Sequence, residues 1–290
     1  MEINGATRIC GVIGNPVEHT LSPLIHNSLS ASTGINLAYA PFHVETGNLE
    51  DAIKGAWALN LLGLNITVPY KSDVIPYLSE IDEMAEKIGA VNTLVRSEKG
   101  YKGYNTDMPG LFRAMQSDGV NVRGEKVLVL GAGGVARAVV MMLASKGAKE
   151  IFIFNRSLDH ASAIADEVNA YEGKRIVKAM TLEGYRELPT DEKFLAIQAT
   201  SVGMFPKVDE VVIADRNFYK RVHTGYDLIF NPANTKFMQL VQAEGGKAYN
   251  GLKMLLYQGI IAYELWTKRV IPEHLAGQVY KKMLQEMKDR

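Results

Sequence analysis

The clearest chemistry in this sequence lies in Val127-Leu128-Val129-Leu130-Gly131-Ala132-Gly133-Gly134-Val135-Ala136-Arg137-Ala138. An apolar run that suits a strand breaks on glycines and then takes up a helical period. Gly131 permits a tight turn, Gly133 lets the backbone approach a pyrophosphate closely, and Ala136 is small enough to pack helix on strand. Backbone N–H groups from Ala132 through Gly134 and Val135 then meet the phosphates at the helix start. Val135, Val139, Met142 and Leu143 recur at helical spacing, Gly147 stands where the helix should end, and Ile151-Phe152-Ile153-Phe154 reads as the next strand. At that strand's end an NAD site carries a carboxylate for the ribose 2′-hydroxyl. Here Asn155-Arg156-Ser157 stands instead. The Arg156 fork and the Ser157 hydroxyl suit a 2′-phosphate, so the expected cofactor is NADP, with Asp159 close enough to leave NAD possible.

Three further constellations carry polar groups that the hydrophobic pattern does not require. Asn65-Ile66-Thr67-Val68-Pro69-Tyr70-Lys71 reads as a strand ending in a proline-stiffened corner that presents a lysine. Thirty-six positions on, Tyr104-Asn105-Thr106-Asp107-Met108-Pro109-Gly110 presents an aspartate, and Gly89-Ala90-Val91-Asn92-Thr93 places an amide in an apolar run. Ligand groups in α/β proteins sit at strand carboxyl ends, so Lys71, Asn92 and Asp107 are candidates to converge. By spacing alone, a lysine and an aspartate at loop ends read by default as solvated surface residues. In Thr20-Leu21-Ser22-Pro23, Ser22 ahead of Pro23 reads as a helix N-cap, and a helix start flanked by two hydroxyls also suits a carboxylate. On a C-terminal helix, Gln258 shares a stripe with Met254, Leu255, Ile261, Ala262 and Leu265, and so needs a partner in backbone or ligand.

These residues need a scaffold. A chain of 290 residues is long for one core, which favours two domains. The runs from Ile9 to Ile13, Ala38 to Val44 and Leu62 to Val68 read as strands, each followed by a helical pattern, which implies a parallel sheet before the glycine cradle begins. The domains should join near Thr106 to Gly110. Lys plus Arg and Asp plus Glu stand at 32 each, so no global field argues for nucleic acid or membrane surfaces. The single cysteine, Cys10, allows neither an internal disulfide nor a thiolate metal cluster, and the six histidines lack metal-ligand spacing. No metal is expected. With no long apolar run at the N-terminus or elsewhere, a cytoplasmic protein acting on a small molecule, as monomer or homodimer, is the expectation.

Taken together, the hydroxyl pair, the Lys71, Asn92 and Asp107 set, the cradle and Gln258 occur in an order that resembles the shikimate/quinate dehydrogenase family over nearly the whole chain. The resemblance implies an N-terminal α/β substrate-binding and catalytic domain, a Rossmann-type NADP domain, and C-terminal helices returning to the first domain: residues 1–107 with 252–290, and 108–251. It implies reversible NADPH-dependent reduction of 3-dehydroshikimate to shikimate, a step toward chorismate and the aromatic amino acids. Thr20 and Ser22 would hold the substrate carboxylate, Thr67, Lys71, Asn92 and Asp107 the ring hydroxyls, Gln258 would close the site and Tyr226 would lie near substrate. Lys71 and Asp107 would form the catalytic pair, with the order of protonation left open. Thr200, Ser201, Gly203, Met204 and Gly251 would border the nicotinamide. Three positions depart from the family pattern: Thr20 replaces the more common serine, Gln198 the asparagine before Ala-Thr-Ser, and His160 stands near where a second basic residue often helps bind the 2′-phosphate. An NAD-dependent quinate/shikimate enzyme shares every motif. A non-catalytic dinucleotide-binding regulator on the same scaffold would be expected to lack Lys71 or Asp107, and both are present.

Overall fold

The computed structural model describes residues 3–289 and divides the chain into two compact units, Met1–Gly110 with Leu255–Arg290, and Leu111–Met254. The first unit opens with β1 (Arg8–Gly14), α1 (Ser22–Thr33), β2 (Leu37–His43), α2 (Leu49–Ala58) and β3 (Gly63–Ile66). Next come β4 (Glu80–Ile81), α3 (Glu83–Ile88), β5 (Thr93–Ser97), β6 (Gly100–Tyr104) and the first turn of α4 (Asp107–Ser117), a helix that continues into the second unit. The strands form one sheet in the order β2-β1-β3-β5-β6-β4.

The parallel expectation holds for β2, β1 and β3 and fails at β5, which runs antiparallel to both β3 and β6. The physical reason is the connection. Only Glu98 and Lys99 separate β5 from β6, and Gly100 follows at φ +143°, so the chain can only double back as a hairpin. The strand expected to reach Val68 stops at Ile66, and β3 is followed by turns and a single 3₁₀ turn over Ile75–Tyr77 rather than an α-helix. The reversal of β5 matters for function. Its first residues lie at the sheet edge where β1, β3 and β6 end, as the pairings Asn65↔Thr93 and Thr93↔Tyr104 show.

The second unit contains β7 (Lys126–Leu130), α5 (Gly134–Ser145), β8 (Glu150–Phe154), α6 (Leu158–Glu172), β9 (Val177–Met180) and β10 (Phe194–Gln198). It continues through α7 (Arg216–Tyr219), β11 (Val222–Asp227), α8 (Lys236–Ala243) and β12 (Lys247–Tyr249). All pairs are parallel and the order is β12-β11-β10-β7-β8-β9. Counted from β7 this is the doubly wound order 3-2-1-4-5-6, whose crevice opens where β7 and β10 diverge. Apolar runs such as KVLVL and EIFIF are buried on both faces, as a sheet covered by helices requires. Phe152, Phe154, Phe194, Phe218 and Phe237 pack there among Leu128 and Leu130, each burial contributing about 1.5–3 kcal/mol.

Helix α9 (Leu252–Thr267) begins within the second unit and ends in the first, and α10 (Glu273–Asp289) belongs wholly to the first. In the first unit, Trp266 of α9 lies over β3 and donates its indole N–H to the Leu94 carbonyl at 2.8 Å. A Cβ on Gly63 would sit 2.0 Å from that indole nitrogen, so the strand position beneath the ring must be glycine. Tyr263 of the same helix meets the Thr33 hydroxyl of α1 at 2.9 Å.

Candidate active site

Four segments at one edge of the first sheet supply the candidate chemistry. After β3, Thr67 N–H still donates to Ile13, and Tyr70 is anchored by its hydroxyl on the Val44 carbonyl at 2.6 Å. Lys71 follows, its carbonyl accepting from Val91 N–H at 2.7 Å, which ties the lysine corner to the strand entering β5. After β6, Asn105 accepts the Asp107 N–H at 3.1 Å and starts α4. The spacing-based convergence then appears as geometry. Lys71 Nζ donates to Asp107 Oδ2 at 2.7 Å, and Asn92 Nδ2 donates to Asp107 Oδ1 at 2.9 Å. Both members of the ion pair are partly open to solvent, at 35% and 20% side-chain exposure, whereas Asn92 is buried.

Behind this pair lies a buried polar chain that sequence reasoning did not single out. Tyr39 donates its hydroxyl to Asn65 Oδ1 at 2.7 Å, and Asn65 Nδ2 donates to Thr93 Oγ1 at 3.1 Å. Thr93 and Thr106 hydroxyls both reach Asn92 Oδ1 at 3.1 Å. Asn65, Thr93 and Thr106 belong to the very motifs that hold Thr67, Asn92 and Asp107, and polar residues inside apolar strand ends are the signal that marks them.

At the start of α1 the cap assignment changes. Leu21, not Ser22, is the N-cap, and no side chain caps the helix. Ser22 is the first helical residue because Thr20 Oγ1 already accepts its N–H at 3.2 Å while donating to its hydroxyl at 3.1 Å. The two hydroxyls therefore stand together, and neither is consumed in capping. Gln258 donates Nε2 to the Leu255 carbonyl at 2.8 Å, one turn back on α9. A Cβ on Gly110 would lie 2.7 Å from the Gln258 backbone nitrogen, so the glutamine sits against α4 one turn from Asp107.

The second unit places the cradle at the carboxyl ends of β7, β8 and β10. Gly131 has φ +110°, and a Cβ there would come within 2.6 Å of Thr200 Cγ2, so glycine is required by both conformation and crowding. Gly133 is the N-cap of α5, and a Cβ on Gly133 or Gly134 would meet nothing within 4 Å. The start of α5 is thus an open, bare-backbone surface, while Ala136 is fully buried against the sheet. Ala132 is half-buried and Val135 exposed beside it. Asn155 holds the Ser157 carbonyl at 2.9 Å. Ser157 is the N-cap of α6 without using its hydroxyl for the cap, and Arg156 is exposed with no ion pair among the described residues. Asp159 and His160 are exposed on the first turn of α6.

On β10, Gln198 is almost completely buried and governs the loop that follows. Its Oε1 accepts the N–H and the hydroxyl of Thr200, both at 2.7 Å, and its Nε2 donates to the Val202 carbonyl at 3.0 Å. This presents Ser201 and Met204 at the surface, with Gly203 buried at φ +91°. Gly251 is buried, since a Cβ there would lie 2.1 Å from the Leu228 carbonyl.

Tyr226, expected near substrate, is fully buried in β11, stacked on Tyr249, with its hydroxyl donated to Asp118 at 3.2 Å. One position beyond it, the Asp227 carboxyl is pushed up to about 6 by burial, although the Thr235 hydroxyl and Ile229 N–H bond to it. Among the described residues no cluster of three or more His, Cys, Asp or Glu could hold a metal ion, and no helix is long and apolar enough to cross a membrane.

Comparison with known proteins places these arrangements in context. Residues 12–94 match the model of the shikimate dehydrogenase substrate binding domain, residues 113–187 that of shikimate / quinate 5-dehydrogenase, and residues 251–276 that of the shikimate 5'-dehydrogenase C-terminal domain. A shikimate dehydrogenase (NADP(+)) of Desulforamulus reducens is 40% identical over 286 residues, covering 97% of each chain. The structure of shikimate 5-dehydrogenase from Listeria monocytogenes in complex with shikimate and NAD is 31% identical, with a TM-score of 0.87 over 96% of this chain and 98% of that one. The ligand-free 5-ketofructose reductase of a Gluconobacter strain is 29% identical, with a TM-score of 0.83 over 97% of this chain and 100% of its own. By sequence along nearly its full length and by fold, the chain belongs to the shikimate dehydrogenase family.

Proposed function

We propose that this protein catalyses the reversible NADPH-dependent reduction of 3-dehydroshikimate to shikimate, in the biosynthesis of chorismate and the aromatic amino acids. The observation that carries the reading is the Lys71–Asp107 pair, 2.7 Å apart, with Asn92 holding the second carboxylate oxygen. In this proposal the first unit binds substrate and the second binds cofactor. The residues of the second unit fit NADP: bare backbone at Gly133 and Gly134 leaves room for the pyrophosphate, and Arg156 is available to a 2′-phosphate. A nicotinamide held there would supply the hydride chemistry at the ring carbon that carries the reacting oxygen.

The chain's own residues manage the rest. Thr20 and Ser22 bind the substrate carboxylate, Thr67 and Asn92 bind ring hydroxyls, and Gln258 bounds the pocket. In the oxidative direction Lys71 and Asp107 together take the hydroxyl proton as the carbonyl forms. In the reductive direction they return it. Asn155, Ser157 and the loop Thr200, Ser201, Gly203 and Met204 border the cofactor, with Gly251 shaping the backbone beside it. A cytoplasmic location, as monomer or homodimer, belongs to the same proposal and rests on balanced charge and a single, buried cysteine.

A second reading, NAD-dependent oxidation of shikimate or quinate, is favoured by Asp159 three positions from Arg156 and by the Listeria relative, whose structure holds NAD. Rates with shikimate and quinate against NADP and NAD separate the two. The proposal expects shikimate with NADP to give the highest kcat/KM. A value for quinate, or for NAD, equal to or above it overturns the assignment.

A further inference from the structure

We propose that Thr93 is a positioning residue for the proton-transferring pair: its buried hydroxyl helps lock the Asn92 carboxamide with its NH2 group on Asp107. The proposal rests on the reading of Lys71 and Asp107 as that pair.

A carboxamide has two ends of nearly equal size, so its hydrogen bonds decide which way it faces. Asn92 Oδ1 accepts from Thr106 N–H at 2.8 Å, from Thr106 Oγ1 at 3.1 Å and from Thr93 Oγ1 at 3.1 Å. Its Nδ2 is thereby turned onto Asp107 Oδ1 at 2.9 Å. A flipped amide would set a carbonyl against the carboxylate and an NH2 against the Thr106 N–H, and both contacts repel.

The direction of donation is fixed farther back. Tyr39 donates to Asn65 Oδ1, which leaves the Asn65 NH2 to donate to Thr93 Oγ1 and, at 3.2 Å, to the Asn92 carbonyl. With one lone pair taken, Thr93 spends its single proton on Asn92 Oδ1 or on Thr106 Oγ1, 3.1 Å away. Either choice passes the polarity the same way, because a Thr106 hydroxyl that accepts from Thr93 can only donate onward to Asn92. The whole chain therefore points donors at the Asp107 carboxylate, where Lys71 is the facing charge. Donors on a carboxylate favour its ionised form, the form that accepts a proton.

Thr93 is fully buried in β5 and touches neither solvent nor, in the proposed site, substrate. A strand position in an apolar core is served as well by valine. The hydroxyl is the feature that packing leaves unexplained.

The test compares Thr93→Val, Thr93→Ser and Asp107→Asn with the parent enzyme, reading kcat and KM for shikimate, the pH profile of kcat, and NADPH binding by its fluorescence. Thr93→Val should lower kcat about five- to tenfold, the scale of one hydrogen bond, and move the acid limb of the profile to higher pH with NADPH binding unchanged. Thr93→Ser, which keeps the hydroxyl, should restore both. If valine is not accommodated, Thr93→Ala against Thr93→Ser carries the same comparison. The proposal is overturned if removal of the hydroxyl leaves the acid limb in place, or if serine behaves like valine. Turnover retained in Asp107→Asn would instead overturn the pair itself.

Discussion

Gly110 and Gln258 meet without a side chain between them: a Cβ on the glycine would stand 2.7 Å from the glutamine's backbone nitrogen and 2.8 Å from its Cα. This contact sets α9 against α4 and puts Gln258 one helical turn from Asp107. Gly110→Ala should therefore force the helices apart, lowering stability by about 1–3 kcal/mol. It should also raise KM for shikimate more than it weakens NADPH. Gln258→Leu should raise the same KM with little change in melting temperature, because the amide's only described bond is to its own helix. An alanine variant with parent stability and KM would show that the close approach has no bearing on the substrate pocket.

Lys71→Ala and Asp107→Asn should each lower turnover by at least about a hundredfold, the scale of general acid–base catalysis, and leave NADPH affinity nearly unchanged. The two losses should not add, since each residue's role needs the other across 2.7 Å. Steady-state rates of the singles and the double decide this. Turnover within about threefold of the parent in either single variant would remove that residue from the chemistry.

Arg156→Ala should weaken NADP by about 1.5–3 kcal/mol and leave NAD almost untouched, because only NADP carries the phosphate that a guanidinium grips. Titrations with both cofactors measure it directly. Equal weakening of the two would assign the ribose end to Asp159 or another group.

The cradle was legible in the sequence because its residues are contiguous: Gly131 with its positive φ, the bare backbone of Gly133 and the buried Ala136 fall within six positions, and only the crowding of Gly131 by Thr200 comes from a distant segment. Lys71, Asn92 and Asp107 are legible as candidates, but their meeting depends on the reversal of β5, which the two-residue hairpin at Glu98 and Lys99 imposes against the strand–helix alternation. Ser22 was read as a cap because serine before proline fits that role, yet Thr20 had already taken its N–H. Tyr226 is placed near substrate by resemblance alone, and no local pattern shows that it packs on Tyr249 and bonds Asp118. Thr93 stands in the sequence only as a polar residue beside Asn92 in an apolar run, and its bonds to Asn65 and Thr106, distant in the chain, come from the fold.

The last prediction concerns acid stability and His26. This residue of α1 is fully buried, stacked on Tyr39 at 4.2 Å and close to Trp266 and Tyr263, and neither ring nitrogen has a hydrogen-bond partner among the described residues. Burial pushes its titration down to about 3 from the usual 6.5, with the neighbouring Asn65 amide opposing the shift. A folded value below the unfolded one means that neutral His26 keeps its full contribution above about pH 6.5 and loses it as the pH falls toward 3. Between pH 7 and pH 4 the loss should reach about 3 kcal/mol, from 2.5 units at 1.36 kcal/mol each. His26→Phe keeps a ring against Tyr39 and has nothing to protonate. The stability of the parent minus that of the variant, from urea unfolding at pH 7, 5 and 4, should therefore become steadily less favourable to the parent. Asp227 works in the opposite sense, its raised carboxyl gaining relative stability as pH falls through about 6, but it is common to both proteins and cancels in the difference. A parent-minus-variant difference that stays constant from pH 7 to 4 would mean that the buried imidazole titrates as freely in the folded protein as in the unfolded chain.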